Sequence, residues 1–246
     1  MSFVKAFSVA SIGLLSLGNL GSVQTMENLG FESAFAASSN QARIDSLKRE
    51  IIQIASDNQT ILDNFAEVRA QLDPLVDELA ELSKAGFEEK NALKVGAWQQ
   101  LWTDDADDLR ANNAFQSVDR TKTFQVVFDD GVFYNISEIQ TPLGRFTGLL
   151  EGSYVADEPR FILEFVDLKI RRGNTPANSL FDFAKAAKDG TLRGLFDLPG
   201  NQRYPNGPIG ARGDIDTVYI DDTLRIDKGQ NFADGVIDLF VLTRTN

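Results

Sequence analysis

Residues 124–138 read FQVVFDDGVFYNISE, and this stretch decides the fold class. Apolar and polar side chains alternate on both sides of Asp130-Gly131, and an Asp-Gly pair between two such runs is a strong signal for a tight β-hairpin. Because many short strands joined mainly by short turns favour closure, the sequence predicts a closed or nearly closed antiparallel barrel. Further alternating runs predict strands over residues 145–156, 160–172, 214–220, 223–227 and 236–243.

The run over residues 160–172 is apolar on both faces. Phe161 and Phe165 share one face, whereas Ile162 and Val166 lie largely on the other. A strand of this kind packs on two sides, for example against a barrel interior and a covering helix.

A different period precedes the strands, and it predicts helical structure over residues 37–93. Apolar residues recur there in alternating steps of three and four. Pro74 interrupts the pattern, and a proline costs about 3 kcal/mol inside a continuous helix. We therefore predict a long helix kinked at Pro74, or a helical hairpin, packed on its own domain; the alternative is an oligomer joined through this seam. The seam consists of Ile44, Ile51, Asn58, Phe65, Leu72 and Leu79 at one position and Leu47, Ile54, Ile61, Val68, Leu75 and Leu82 at the other.

Residues 1–36 have the pattern of a signal or transit leader. Lys5 supplies one positive charge, an uncharged apolar stretch follows over residues 6–20, and the segment ends in Ala34-Phe35-Ala36. A short apolar region before an Ala-x-Ala site is typical of a cleaved leader, and cleavage after Ala36 is favoured.

Composition excludes several classes of function. The chain of 246 residues contains no His and no Cys, which removes imidazole and thiolate nucleophiles and metal ligands. With 24 basic and 36 acidic residues the net charge is −12, so we expect no nucleic-acid partner. An enzyme using Asp, Glu or Tyr has no recognisable site in the sequence. We therefore predict no catalytic residues, no metal site, no cofactor and no enzymatic activity.

The predicted strands are interrupted by a long segment over residues 173–213. It contains a short helix over residues 179–188 and then a loop rich in Gly and Pro. A loop of this length in a compact domain is usually a lid, a binding loop or a disordered connector.

Two motifs resemble those of a known family. Residues 215–229 (IDTVYIDDTLRIDKG), followed by LFVL at residues 239–242, resemble the signature of the plastid lipid-associated proteins, also called fibrillins. Residues 96–103 (GAWQQLWT) are similar to that family's opening Gly-x-Trp-x-Leu-Leu-Tyr-Thr. The resemblance covers roughly residues 60–246 and is specific at its two ends. This sequence departs from the family pattern at Gln100, Trp102 and Ile220.

The resemblance implies a mainly β protein with N-terminal α structure, in which a lipocalin-like antiparallel barrel over residues 94–246 follows the helical segment. It also implies a non-catalytic function: binding an isoprenoid quinone, a carotenoid or an acyl lipid in association with thylakoids or lipid globules. The implied location is the plastid (chloroplast), including the thylakoid lumen, or the periplasm or lumen of a photosynthetic bacterium. The alternative is a structural protein with a solid barrel, whose heptad helix forms a partner surface.

The candidate site residues follow from the strands and the motifs, although strand parity leaves open which of them point inward. The ligand-binding candidates are Trp98, Phe128, Phe133, Phe146, Phe161, Phe165, Tyr219 and Phe240. The candidates for structural or motif roles are Trp102, Asp221, Asp222 and Arg225. Asp221 and Asp222 are interpreted as turn formers, with pairing to Arg225 as the alternative, and Arg225 as a buried charge held by a carboxylate.

Overall fold

The computed structural model describes residues 24–83, 85–105, 117–198 and 200–245, with side chains from Ser39 onward. The first 23 residues of the predicted leader therefore lie outside the described part. The chain divides into two compact units, Met1–Gln41 and Ala42–Asn246. The described part of the first unit is helical. Within the described ranges, no helix is both long and apolar enough to span a membrane.

The second unit is built on a closed barrel of eight antiparallel strands, which confirms the predicted barrel. In the ring, β1 to β5 pair in sequence order, β5 pairs with β7, β7 to β9 pair in sequence order, and β1 closes the ring by pairing with β9. The short β6 lies outside this ring and pairs with the end of β5. The strands are β1 (Gly96–Thr103), β2 (Ser117–Val127), β3 (Val132–Thr141), β4 (Gly144–Asp157), β5 (Arg160–Arg172), β6 (Leu195–Asp197), β7 (Arg212–Ile220), β8 (Leu224–Asn231) and β9 (Ile237–Thr245).

Two helices cover one outer side of the barrel, and they carry the predicted heptad seam. They are α1 (Gln24–Asp57) and α2 (Phe65–Leu82). Most of the seam packs on the barrel of the same chain, where the two helices supply half of the buried members of a large apolar cluster. The buried members of this cluster are Leu47, Ile51, Ala55, Val68, Leu72, Val76, Leu79, Leu101, Trp102, Tyr219, Leu224, Ile226, Leu239 and Val241.

The two helices are separated at residues 58–64, whereas Pro74, the predicted kink, lies inside α2. Side-chain amides stabilise the break: Asn58 Nδ2 donates to the carbonyl of Ile54 at 2.8 Å, and Asn64 Nδ2 donates to Asn58 Oδ1 at 2.8 Å. Asn competes with the helical backbone for hydrogen bonds, which explains why the polar seam position ends the helix.

The described part of the chain contains two further helices, α3 (Phe87–Lys94) and α4 (Leu180–Lys188). α4 corresponds to the short helix predicted in the 173–213 segment, with Ser179 at its N-cap position. Its apolar face covers the outer side of β1 to β4. The buried members of this second cluster are Ala97, Phe124, Val126, Phe128, Tyr134, Ile136, Leu149, Leu180, Phe183 and Ala184.

A β-bulge in β1 decides which way its two tryptophans point. The sequence predicts that Trp98 and Trp102, four residues apart, share a face. The pairing of β1 with β9 shifts register between Gln100 and Trp102. The extra residue reverses the alternation, so Trp98 faces the interior while Trp102 packs under α2, where its ring lies 6.1 Å from that of Phe65. The shared-face prediction is therefore wrong.

Glycine at position 152 makes room for an aromatic ring inside the barrel, and this predicts a steric effect. A Cβ atom at Gly152 would lie 2.2 Å from Phe133 Cζ. We expect Gly152→Ala to lower the free energy of unfolding by about 1–3 kcal/mol, measured by urea denaturation, because overpacking displaces the ring. The matched control is Gly148→Ala on the same strand, whose Cβ would lie 3.1 Å from the flexible end of Ile139. Equal losses in the two variants would contradict this account.

Candidate functional site inside the barrel

A cavity of about 30 Å³ lies inside the barrel next to α3. On the scale where 10–15 Å³ admits one water molecule, this is room for about two. Its walls come from β2, β3, β4, β5, β7 and β8 of the ring and from the end of α3. Its apolar lining consists of Val127, Phe133, Phe161, Leu163 and Ile215, and its polar lining of Lys94, Gln125, Tyr154 and Arg225.

Helix α3 covers the end of the barrel nearest this cavity. The ring of Phe87 stacks on that of Phe161 with a centroid distance of 4.8 Å. Trp98 Nε1 donates to the carbonyl of Lys94 at 2.8 Å, which satisfies the buried indole and ties the end of α3 to β1. Lys90 Nζ donates to the carbonyl of Thr217 at 2.8 Å. The helix is thus held to both β1 and β7.

Lys94, the last residue of α3, directs its ammonium group into the interior. The residue is 5% exposed, and Nζ lies 3.3 Å from the ring centroid of Phe161. Among the described residues no carboxylate or carbonyl accepts a hydrogen bond from this ammonium. Burial lowers the pKa of Lys94 to about 7, although the charge of Asp227 opposes the effect.

Arg225 and Asp227 form a buried ion pair beside Lys94. Their side chains are 2% and 1% exposed, and Arg225 Nε lies 2.8 Å from Asp227 Oδ2. Thr217 Oγ1 donates to Asp227 Oδ1 at 2.6 Å, and Arg225 Nη2 donates to Gln125 Oε1. Neither Nη1 of Arg225 nor its Nε, which is in ion-pair contact with Asp227, makes a hydrogen bond of good geometry among the described residues. The guanidinium therefore retains unused donor capacity in the interior.

Aromatic side chains continue the interior away from the charged groups. The Phe133 and Phe165 rings lie 5.7 Å apart, and a Cβ at Gly229 would lie 2.9 Å from the Phe240 ring. By strand register Phe146 also lies on the inner face, near the opposite end, where its ring is 6.4 Å from that of Phe196. Phe165 and Phe240 remain partly exposed to solvent although they face inward.

Two of the predicted ligand-binding residues face the covering helices instead of the interior. Phe128 lies just beyond β2, and its ring is 5.0 Å from that of Phe181 on α4. Tyr219 belongs to the cluster under α1 and α2, because a bulge between Thr217 and Tyr219 turns its side chain outward. The interior therefore contains Trp98, Phe133, Phe146, Phe161, Phe165 and Phe240 from the predicted set.

The Asp221-Asp222 turn joins β7 to β8, as its interpretation as a turn former requires. Asp221 Oδ1 accepts from the backbone amide groups of Thr223 at 2.7 Å and Leu224 at 2.9 Å. Burial alone would raise the pKa of Asp221, but the hydrogen bonds from Lys48, Leu224 and Thr223 outweigh it and hold the pKa well below its usual range. Asp221 thus links the turn to α1. Arg225 pairs with Asp227 and not with the turn carboxylates.

The predicted site residues did not include four polar residues of the interior: Lys94, Gln125, Tyr154 and Asp227. A signal existed for Asp227, because residues two apart on a strand share a face and Asp227 is two residues from Arg225. Nothing in the local pattern distinguishes Lys94 from an ordinary basic residue in the last turn of a helix.

The comparisons with known proteins found no matching family model, curated protein or solved structure. In the described ranges no group of three or more Asp or Glu side chains is placed to hold a metal ion.

The buried pair predicts a large coupling between Arg225 and Asp227. We expect Arg225→Met to lower the free energy of unfolding by about 3–5 kcal/mol, because Asp227 is then left buried without a counter-ion. In the double variant Arg225→Met/Asp227→Leu most of this loss should be recovered. Urea denaturation of the two single variants and the double variant measures the coupling. Additive losses would contradict a mutually dependent pair.

Lys94 predicts a stability that depends on pH. Its pKa is about 7 when folded and 10.5 when unfolded, so the unfolded chain binds more protons between these values. The contribution of Lys94 is therefore fully unfavourable below pH 7 and improves by up to about 1.4 kcal/mol per pH unit above it.

We accordingly expect Lys94→Met to be more stable than the parent at pH 6–7, with a difference that shrinks toward pH 9. Because the chain contains no His and no Cys, few other side chains titrate in this pH range. Lys90→Met, which removes a positive charge from the same helix, is the control. A difference that does not vary between pH 7 and pH 9 would contradict the shifted pKa.

Proposed function

We propose that this protein is a non-catalytic binder of a hydrophobic small molecule, which it holds inside the barrel. The observation that carries the proposal is the combination of an internal cavity with inward-facing aromatic rings that stay partly exposed. Binding an apolar ligand against these rings is stabilised by about 25 cal/mol for each Å² of apolar area that ligand and protein remove from water. A mainly apolar interior with a few polar groups is the usual composition of a ligand site.

Ligand entry requires movement of interior side chains, because a cavity of about 30 Å³ holds only a few atoms. The Phe133 and Phe240 rings lie over Gly152 and Gly229. We infer that these rings rotate away to admit the apolar part of the ligand. Side-chain rearrangement of this kind is common on binding, even where the backbone moves little.

The resemblance to plastid lipid-associated proteins supports isoprenoid quinones, carotenoids and acyl lipids as candidate ligands. It also supports a plastid location, with association to thylakoids or lipid globules. These parts of the proposal depend on the motifs at residues 96–103 and 215–229.

The alternative, an interaction protein that uses the heptad seam as its partner surface, is less well supported. Leu47, Ile51 and Leu72 of that seam are fully buried against the barrel of the same chain. A partner helix would have to replace this packing. Self-association that is lost when residues of the seam are substituted would favour the interaction function.

The direct test is to purify the protein from its native host without detergent, extract it with solvent and analyse the extract by absorption and mass spectrometry. We expect one apolar compound near one equivalent per chain. A protein that is empty, and stays empty after exposure to a mixture of quinones, carotenoids and lipids, would overturn the proposal and favour the interaction function.

Phe165 and Val166 provide a matched pair of variants. Phe165 faces inward against Phe133, whereas Val166 is 43% exposed at a bulge in β5. We expect Phe165→Asp to reduce uptake of the native ligand at least tenfold, because a carboxylate in the interior is desolvated, and Val166→Asp to bind like the parent. Binding is followed by mass spectrometry of extracts, with circular dichroism as the check on folding. Normal uptake by a folded Phe165→Asp protein would show that the interior is not the site.

A further inference from the structure

The cavity lining contains two cations, and only one of them has a carboxylate partner among the described residues. Lys94 and Arg225 each contribute a cation, and Asp227 contributes one carboxylate, which lies against Arg225 at 2.8 Å. Among the described residues, the close partner of the Lys94 ammonium is the Phe161 ring. A buried ammonium without a counter-ion is costly, so a negatively charged ligand group would stabilise it.

Both cations line the same cavity. Lys94 and Arg225 line the same space, and Arg225 Nη1 is buried without an acceptor among the described residues. Two cations that line a cavity with room for about two water molecules make a site of the size of a carboxylate group. The remaining walls, Phe133, Phe161 and Leu163, are apolar.

Other charged groups near Lys94 do not neutralise it. Asp227 favours its charged form, but Arg225 on the same strand opposes that effect. Asp216 on β7 and Lys90 on α3 act in opposite directions as well. Tyr154 on β4, which also lines the cavity, donates its hydroxyl to the carbonyl of Phe128 at 3.0 Å. A single negative charge would therefore balance the site.

We propose that the ligand is an amphiphile with one carboxylate headgroup, such as a long-chain fatty acid, and that Lys94 and Arg225 bind this carboxylate while the tail extends along the barrel interior. This inference rests on the proposed function and names the chemical class of its ligand. The covered end under α3 would hold the headgroup, and the tail would point away from α3, past Phe133 toward Phe165.

The experiment compares ligands that share a tail and differ at the head. Palmitate, hexadecanol and hexadecyl phosphate are titrated into the full chain by displacement of a fluorescent fatty-acid probe at pH 7. We expect the parent protein to bind palmitate at least tenfold more tightly than hexadecanol. Lys94→Met should bind the two equally, whereas Lys90→Met, whose side chain contacts Thr217 outside the cavity lining, should keep the preference.

A second measurement separates a binding role of Lys94 from a structural one. Palmitate needs the ammonium form, and only the protonated fraction of the free protein is competent to bind it. With a pKa of about 7 for Lys94, the affinity for palmitate should fall about 50-fold between pH 7 and pH 9. In Lys94→Arg the charge persists, so the preference for palmitate should remain and its pH dependence should disappear.

The outcomes distinguish this inference from the proposed function. Equal binding of palmitate and hexadecanol by the parent, or an unchanged preference in Lys94→Met, would overturn the carboxylate assignment and leave apolar binding in place. Tighter binding of hexadecyl phosphate than of palmitate would replace the carboxylate with a phosphate. If none of these ligands displaces the probe, and no quinone or carotenoid binds in the interior, the proposed function itself fails.

Discussion

Closure of the sheet between β1 and β9 is the constraint on which the rest of this structure depends. Once the ring of backbone hydrogen bonds is complete, strand residues face either outward, toward the helices or solvent, or into a confined space inside. The outside is covered by α1 and α2 on one side and by α4 on another. The inside has no such cover, so its space must be filled by the side chains of the strands themselves and by the residues of α3.

The fold class was predictable because its signals are local and periodic. The Asp-Gly hairpin, the alternation of the strands and the helix ending at Lys188 require only neighbours in sequence. The directions of Trp102 and Tyr219 were not predictable, since each follows a bulge that is fixed by pairing with a strand distant in sequence. A single extra residue there exchanges the inner and outer faces, whatever the hydrophobic pattern indicates.

The candidate site was predictable only in its apolar part. Parity placed Phe161 and Phe165 on one face, and both point inward. Arg225 was predicted to be a buried charge held by a carboxylate, but the sequence pattern did not single out Asp227, which is its partner in the structure. Lys94 gave no signal, because its role follows from the position of α3 over the barrel end and not from its sequence neighbours. A charge becomes exceptional only when tertiary packing removes water from it.

Lys94 affects both the stability of the barrel, through its backbone, and the chemistry of the cavity, through its side chain. Its carbonyl accepts the hydrogen bond of the buried Trp98 indole, so the backbone at this position is needed to finish the end of the barrel. The same residue brings a desolvated ammonium inside, close to an ion pair that is already complete. Packing alone would favour an apolar side chain there, since the stem of lysine could be replaced by methionine without leaving a void. Stability and packing therefore give no reason for a lysine at this position, whereas a negatively charged ligand group does, because it would turn the cost of burial into a gain in binding.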